Sequence, residues 1–263
     1  MIVVFFMIGR DVEEVHPMVK LGRINAVREV LRADCRRVSR ILLLESGSTP
    51  RLRELAELAR ARQIPLHTAS KKQLDRICPG HQGVVALVSP KGFMTMESIL
   101  RQADVPFLLI LDGVEDPQNL GALIRTAEGA GVDGVVLPER RAAGLTPAVS
   151  AASAGAVEHM PIARVKNLAR AVEYLKNSGL WLVGAEVGGD GSWDDFDYTG
   201  PVGLVLGSEG KGLRPLVRRS CDAILSLPLY GAMTSLNVSA AGAVFMYEVV
   251  RQRKLRGKQS RNL

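Results

Sequence analysis

LPLYGAMTSLNVSAAGAVFMYE, residues 227–248, joins a strand to an apolar helix through a polar turn. The residues before it, Ala223-Ile224-Leu225-Ser226-Leu227-Pro228, read as a buried strand. The turn carries the hydroxyls and amide of Ser235-Leu236-Asn237-Val238-Ser239. Small residues follow, Ser239-Ala240-Ala241-Gly242-Ala243, and they let a second backbone or a flat ligand come close. Helix capping accounts for polar residues at such a start. Two upstream segments point beyond capping.

The first is Leu204-Val205-Leu206-Gly207-Ser208-Glu209-Gly210-Lys211-Gly212-Leu213, a strand ending in a glycine-rich turn with a carboxylate. The second runs from Asp112 to Ala127, DGVEDPQNLGALIRTA. Arg125 stands there in a helix of mostly small and apolar residues, where a snorkelling surface arginine is the plain reading. A guanidinium aimed at a phosphate is the sharper one. Asn119, at the start of that helix, reads first as its cap.

In this order the three segments resemble the three motifs of the SpoU/TrmH family of RNA ribose 2'-O-methyltransferases, within the SPOUT superfamily. The resemblance covers roughly residues 104–255. It implies S-adenosylmethionine as cofactor and a trefoil knot in the C-terminal domain. It also implies a homodimer in which each site is completed by the partner. Carried over residue by residue, it assigns Asn119, Arg125, Glu209, Ser235 and Asn237 to the catalytic site. Gly207, Leu227 and Leu236 are assigned to backbone contacts with the cofactor. The family places the arginine at the reacting hydroxyl as proton acceptor. An ordinary guanidinium is far too weak a base, so orienting a phosphate is the physically safer role. The chemistry is an in-line displacement at a sulfonium methyl, for which positioning contributes about 7–11 kcal/mol. General acid–base or electrostatic help completes it.

The N-terminal residues extend the resemblance. Gly22-Arg23-Ile24-Asn25-Ala26-Val27-Arg28-Glu29-Val30-Leu31 and His81-Gln82-Gly83-Val84-Val85-Ala86 are similar to the family's substrate-binding domain, which resembles ribosomal protein L30e. They narrow the likeness to the branch that methylates a 23S rRNA guanosine. Rival expectations are the same chemistry on tRNA and a non-catalytic RNA-binding protein on the same fold. The intact set of motif residues argues against the second rival.

Charge placement fits a phosphate-binding module beside a catalytic one. Residues 1–103 hold 17 Lys/Arg against 10 Asp/Glu, whereas residues 104–263 hold 17 of each. Arg23, Arg28 and Arg32 are the candidate RNA contacts. The last 13 residues add six cations and no anion. Solvated surface charge is the plain alternative.

Alternating strand and helix patterns predict an α/β fold with a mainly parallel sheet, and sites beyond its strand C-termini. The expected organisation is an extension at 1–17, an RNA substrate-binding domain at 18–90, a linker at 91–104, a SPOUT methyltransferase domain at 105–255 and a basic tail at 256–263. The last helix is expected at 239–253, with Ala241, Val244, Phe245, Met246, Val249 and Val250 apolar nearly all round. Such a helix needs burial on more than one side.

Other classes are disfavoured. Cys35, Cys78 and Cys221 are odd in number, far apart and without a CxxC pair, as reduced thiols of a cytoplasmic protein would be. No His or Cys spacing suits a metal, so none is expected. Met1–Ile8 is apolar but short of the roughly 20 residues of a spanning helix, and it lacks the basic leader and cleavage site of a signal peptide. Gly129-Ala130-Gly131-Val132-Asp133-Gly134 matches the dinucleotide fingerprint in letters. It follows a helix and opens a strand, the reverse of what that fingerprint needs.

Overall fold

The computed structural model describes residues 18–45 and 49–259. The expected extension, including Met1–Ile8, and residues 260–263 lie outside them. The N-terminal part comprises β1 (Val19–Leu21), α1 (Ile24–Ala33), β2 (Val38–Leu44), α2 (Pro50–Ala61), β3 (Leu66–Ala69), α3 (Lys71–Ile77) and β4 (Val84–Val88). Its sheet has the order β1-β4-β2-β3, with β4 antiparallel to both neighbours and β3 parallel to β2.

Local chemistry sets these helices. Thr49 accepts from the Leu52 N–H ahead of Pro50, and Ser70 forms a reciprocal capping box with Gln73. Val27, Val30 and Leu31 of α1 meet Leu52, Leu55 and Ala59 of α2 in one core. Ile24 and Leu58, apolar and at the helical spacing of these inward faces, are only half-buried.

Next come α4 (Met96–Leu100), β5 (Phe107–Asp112), α5 (Pro117–Gly129), β6 (Gly134–Pro138), α6 (Pro147–Ala152), β7 (Ile162–Val165), α7 (Leu168–Asn177), β8 (Trp181–Ala185), β9 (Gly191–Ser192), β10 (Val202–Gly207), α8 (Pro215–Ser220), β11 (Ala223–Ser226) and α9 (Val238–Gln259). All neighbours in the seven-stranded sheet are parallel, in the order β7-β6-β5-β10-β8-β11-β9.

Both faces of this sheet are covered, so its central strands are continuous apolar runs. Leu109 and Leu111 of β5 point to one core, with Leu123 and Ile124 of α5 and Phe245, Met246 and Val249 of α9. Leu108 and Ile110 point to the other, with Val172 and Leu175 of α7 and Val217 of α8. Met94, Met96, Ile99 and Leu100 also pack into that second core, so the segment expected as a linker is anchored on the sheet.

Two boundaries differ from the sequence reading. Asp116 caps α5, accepting from the Gln118 and Asn119 N–H groups at 3.1 and 3.4 Å. Asn119 is therefore not the cap but the third residue of the helix. Glycines end α5 as expected, with Gly131 at a φ of +71°. α9 runs to Gln259, past the expected Arg253 and into the expected tail. Arg253 holds it to the sheet by donating to the carbonyls of Val105, Pro106 and Gly200.

Candidate active site

The chain leaves β5, moves outward through β6 and β7, and returns on the other side through β8. At that reversal lie the C-terminal ends of β5, β10, β8 and β11, the usual place for a ligand in an open α/β sheet.

The β10 end is built on close backbone approach. A Cβ on Gly207 would come within 2.2 Å of the Gly212 backbone, so only glycine fits. Ser208 and Gly212 exchange backbone hydrogen bonds of 3.1 and 3.0 Å, closing a tight turn with Glu209 at its tip. Gly210 and Gly212 take positive φ, +78° and +62°. Two carboxylates hold the returning strand of this loop. Glu186, after β8, accepts from the Leu213 N–H, and Asp112, ending β5, accepts from the Arg214 N–H at 2.8 Å. Asp112 is fully buried and also takes the Arg214 Nε.

Asn237 ties the three motifs together. Its Oδ1 accepts from the Ser239 N–H at 2.9 Å and so caps α9. Its Nδ2 donates to Asn119 Oδ1 at 2.9 Å and to Glu209 Oε1 at 2.5 Å. Asn119 is buried, released from capping by Asp116 and thereby free to receive that bond. The capping and site readings of Asn237 are thus both true of one side chain.

A cavity of about 730 Å³ opens beside this node. Gly207, Leu227, Leu236, Glu209, Ser235 and Asn237 all line it. Its size is that of a small-molecule site. The peptide groups of Leu227 and Leu236 form no hydrogen bond among the described residues, so they remain open to a ligand. Apolar walls with open peptide groups suit a flat base carrying ring nitrogens, and the exposed Ser235 hydroxyl supplies a further polar group. A second cavity of about 720 Å³ lies across the Ser208–Gly212 loop, reached by Asp112, Asn119 and Glu209. Glu209 faces both.

The remaining candidates stand apart. Arg125 is on the exposed face of α5, lines neither cavity and makes no side-chain hydrogen bond or ion pair among the described residues. Arg28 and Arg32 both pair with Glu29, at 3.1 and 3.3 Å, so their charge is partly neutralised. Arg23 is exposed. Burial, with Asp222 beside it, pushes Cys221 up to about 12, and burial also raises Cys78, so neither of these two thiols is poised as a nucleophile. Among the described residues no group of His, Cys, Asp and Glu could hold a metal ion. The sequence reading missed Asp112, Glu186 and Arg214, whose partners are 102 residues distant or in other loops. The buried acid at a strand end was its one visible signal.

A parallel sheet with a cofactor-sized cavity at its reversal, joined by an Asn–Asn–Glu node to a second cavity, defines a group-transfer enzyme of the α/β class. The chain belongs to the SpoU rRNA methylase family, whose model matches residues 106–247, and a model of RNA 2'-O ribose methyltransferase substrate-binding domains matches residues 24–94. It is 42% identical to the 23S rRNA (guanosine-2'-O-)-methyltransferase RlmB of Pseudomonas putida, over 90% of this chain and 98% of that one. It is similar to the SpoU methyltransferase AviRb of Streptomyces viridochromogenes, solved with AdoMet: 26% identity, TM-score 0.77, covering 90% of this chain and 91% of that one. The A. aeolicus TrmH/SpoU tRNA modifying enzyme shares 26% identity and a TM-score of 0.55, covering 62% of this chain and 86% of that one.

Proposed function

We propose that this enzyme transfers a methyl group from S-adenosylmethionine to the ribose 2'-hydroxyl of a guanosine in 23S rRNA. The observation that carries the reading is the Asn237 amide, which joins Asn119 and Glu209 at the wall between two cavities. The first cavity takes the cofactor, with Gly207 in its wall and the open peptide groups of Leu227 and Leu236 facing its adenine. The cofactor, when bound, supplies an activated methyl group. The second cavity takes the target nucleotide. Glu209, held by the Asn237 amide, faces both and orders the loop between them; Ser235 offers its hydroxyl to the bound molecules.

The substrate class follows from the relatives. The P. putida relative acts on a 23S rRNA guanosine and matches nearly end to end. The tRNA enzyme matches only 62% of this chain, which argues against a tRNA substrate. The N-terminal sheet, of the ribosomal protein L30e type in this reading, contributes phosphate contacts through Arg23 and, after rearrangement of the Glu29 pairs, Arg28 and Arg32. In this reading the SPOUT domain is knotted where the loops after β10 and β11 pack together, and the enzyme works in the cytoplasm.

Homodimerisation explains Arg125. α9 buries Phe245, Met246 and Val249 but leaves Ala240, Val244 and Tyr247 exposed at helical spacing. A partner covering this stripe also meets the neighbouring exposed face of α5, which carries Arg125. The guanidinium then orients substrate phosphate in the partner's site.

The test is incubation with labelled donor and separate pools of 23S rRNA, 16S rRNA and tRNA, followed by mapping of the methylated nucleotide. Label on a 23S guanosine ribose is the expected result. Label confined to tRNA, or to a base, overturns the reading.

A further inference from the structure

Three cations that none of the motif assignments uses converge on the second cavity: Arg141, Lys211 and Arg214. They come from separate segments. Arg141 is in the loop after β6, Lys211 in the turn after β10 and Arg214 just before α8. The loop bearing Arg141 folds back over the β5 end, where the Ala143 N–H donates to the Val114 carbonyl at 3.0 Å.

Each cation is kept available. Arg141 and Lys211 form no side-chain hydrogen bond or ion pair among the described residues. Arg214 gives its backbone N–H and Nε to Asp112, and its two terminal NH2 groups make no bond among the described residues. A guanidinium anchored through Nε presents its outer edge in a fixed plane, the geometry for a bidentate bond to a phosphate. Arg141 also sits at a φ of +60°, a left-handed conformation that costs a residue with a Cβ free energy. Nothing in its own side-chain contacts offsets that strain.

The cavity is not simply basic. Asp112, Glu115, Asp116 and Glu209 line it too. Asp112 is neutralised by Arg214, Asp116 is spent on the α5 cap and Glu209 is engaged by Asn237. Of these four, Glu115 alone forms no side-chain hydrogen bond or ion pair among the described residues. Oxygens of Asp112, Asp116 and Glu209 are thus already engaged, and the donors left open to a ligand are Arg141, Lys211 and the outer edge of Arg214.

We propose that Arg141, Lys211 and Arg214 clamp the phosphates flanking the target ribose, setting its 2'-hydroxyl against the cofactor cavity. The clamp rests on the RNA methyltransferase reading and names residues outside the three motifs' catalytic set. It differs from the N-terminal cations in place: it grips the backbone at the reacting nucleotide.

The experiment measures binding of a short single-stranded RNA, without donor, by the full chain across about 50–200 mM salt, together with KM for rRNA and donor Kd. Arg141→Ala and Lys211→Ala change exposed, unpaired side chains and are expected to fold. Each should flatten the log–log salt slope by roughly 0.7–0.9, the loss of one phosphate contact. Each should also raise KM for rRNA about tenfold, with donor Kd unchanged. Arg141→Gly removes the charge and the strain together. It should be at least as stable as the parent yet bind RNA as weakly as Arg141→Ala, a split that a structural role does not produce. Salt slopes and KM equal to those of the parent in all three variants overturn the clamp. A parent that methylates no RNA overturns the functional reading instead, while the binding slopes still decide the clamp.

Discussion

Arg37 and Glu158 form an ion pair at 2.5 Å across 121 residues of sequence, joining the N-terminal sheet to the catalytic one. Both side chains are nearly buried. Arg37 also donates to the Ser89 carbonyl, and Lys91 Nζ donates to the Glu158 carbonyl at 2.8 Å. Burial lowers the Lys91 pKa, although Glu158 opposes that shift. Removing one partner of such a pair leaves an uncompensated buried charge, at a cost of about 3–5 kcal/mol. Glu158→Ala should therefore lower the urea midpoint substantially. Arg37→Met with Glu158→Leu should cost less than the sum of the two single changes. Additivity in that cycle shows that the pair is uncoupled.

How much of this was legible in the sequence depended on distance along the chain. Leu108 to Leu111 announced a central strand because every residue is apolar, and Ser70 announced a helix start through Gln73 three residues on. β7 makes no clear strand pattern, because Ile162-Ala163-Arg164-Val165 buries only its first two residues, and the two residues of β9 make none. Asn119 reads as a cap because Asp116 and Asn119 both carry a capping side chain just ahead of the apolar run, and only geometry shows that the helix starts at the first. The motif order brought Asn119, Glu209 and Asn237 into view. The carboxylates that brace their loop, Asp112 and Glu186, acquire meaning only once four strand ends are side by side.

Asn237 separates folding from chemistry in one substitution. Asn237→Asp keeps an oxygen for the Ser239 N–H and should preserve the α9 cap, itself worth about 1 kcal/mol. It cannot donate to Asn119 and sets a carboxylate against Glu209. Methyl transfer should fall at least 100-fold while far-UV circular dichroism is unchanged. Activity within a few-fold of the parent rejects the node as part of the active site.

Acid should loosen the middle of α9. Glu248 is 3% exposed and accepts from Arg251 and Gln252. The Arg251 hydrogen bond first, opposed by burial and aided by Gln252, holds its carboxyl below the usual 4.5. A lowered folded pKa means that the unfolded chain binds more protons in the window between the two values. Stability from this group is complete above pH about 4.5 and is lost as pH falls through the folded value. Urea midpoints measured across that window should fall with pH in the parent and less steeply in Glu248→Gln. Equal slopes remove Glu248 from the account.

The exposed stripe on α9 gives the dimer a decisive test. Val244 is 37% and Tyr247 53% exposed, and Ala240, one turn before Val244, is exposed too. A Cβ on Gly129 would come within 3.6 Å of the Tyr247 hydroxyl, so the stripe adjoins the end of α5 and the face bearing Arg125. Val244→Arg should therefore yield a monomer in sedimentation equilibrium, with little loss of monomer stability because the position faces solvent. It should also abolish methyl transfer if each site needs a partner. Arg125→Ala and Glu209→Ala should each be inactive alone, the first with unchanged donor affinity. Mixed and allowed to exchange subunits, they should recover up to about a quarter of the parent activity, because half of the dimers are mixed and each mixed dimer has one intact composite site. Recovery places Arg125 in the partner's site. An active parent monomer refutes the dimer, and no recovery from subunits shown to exchange places Arg125 in its own subunit's site.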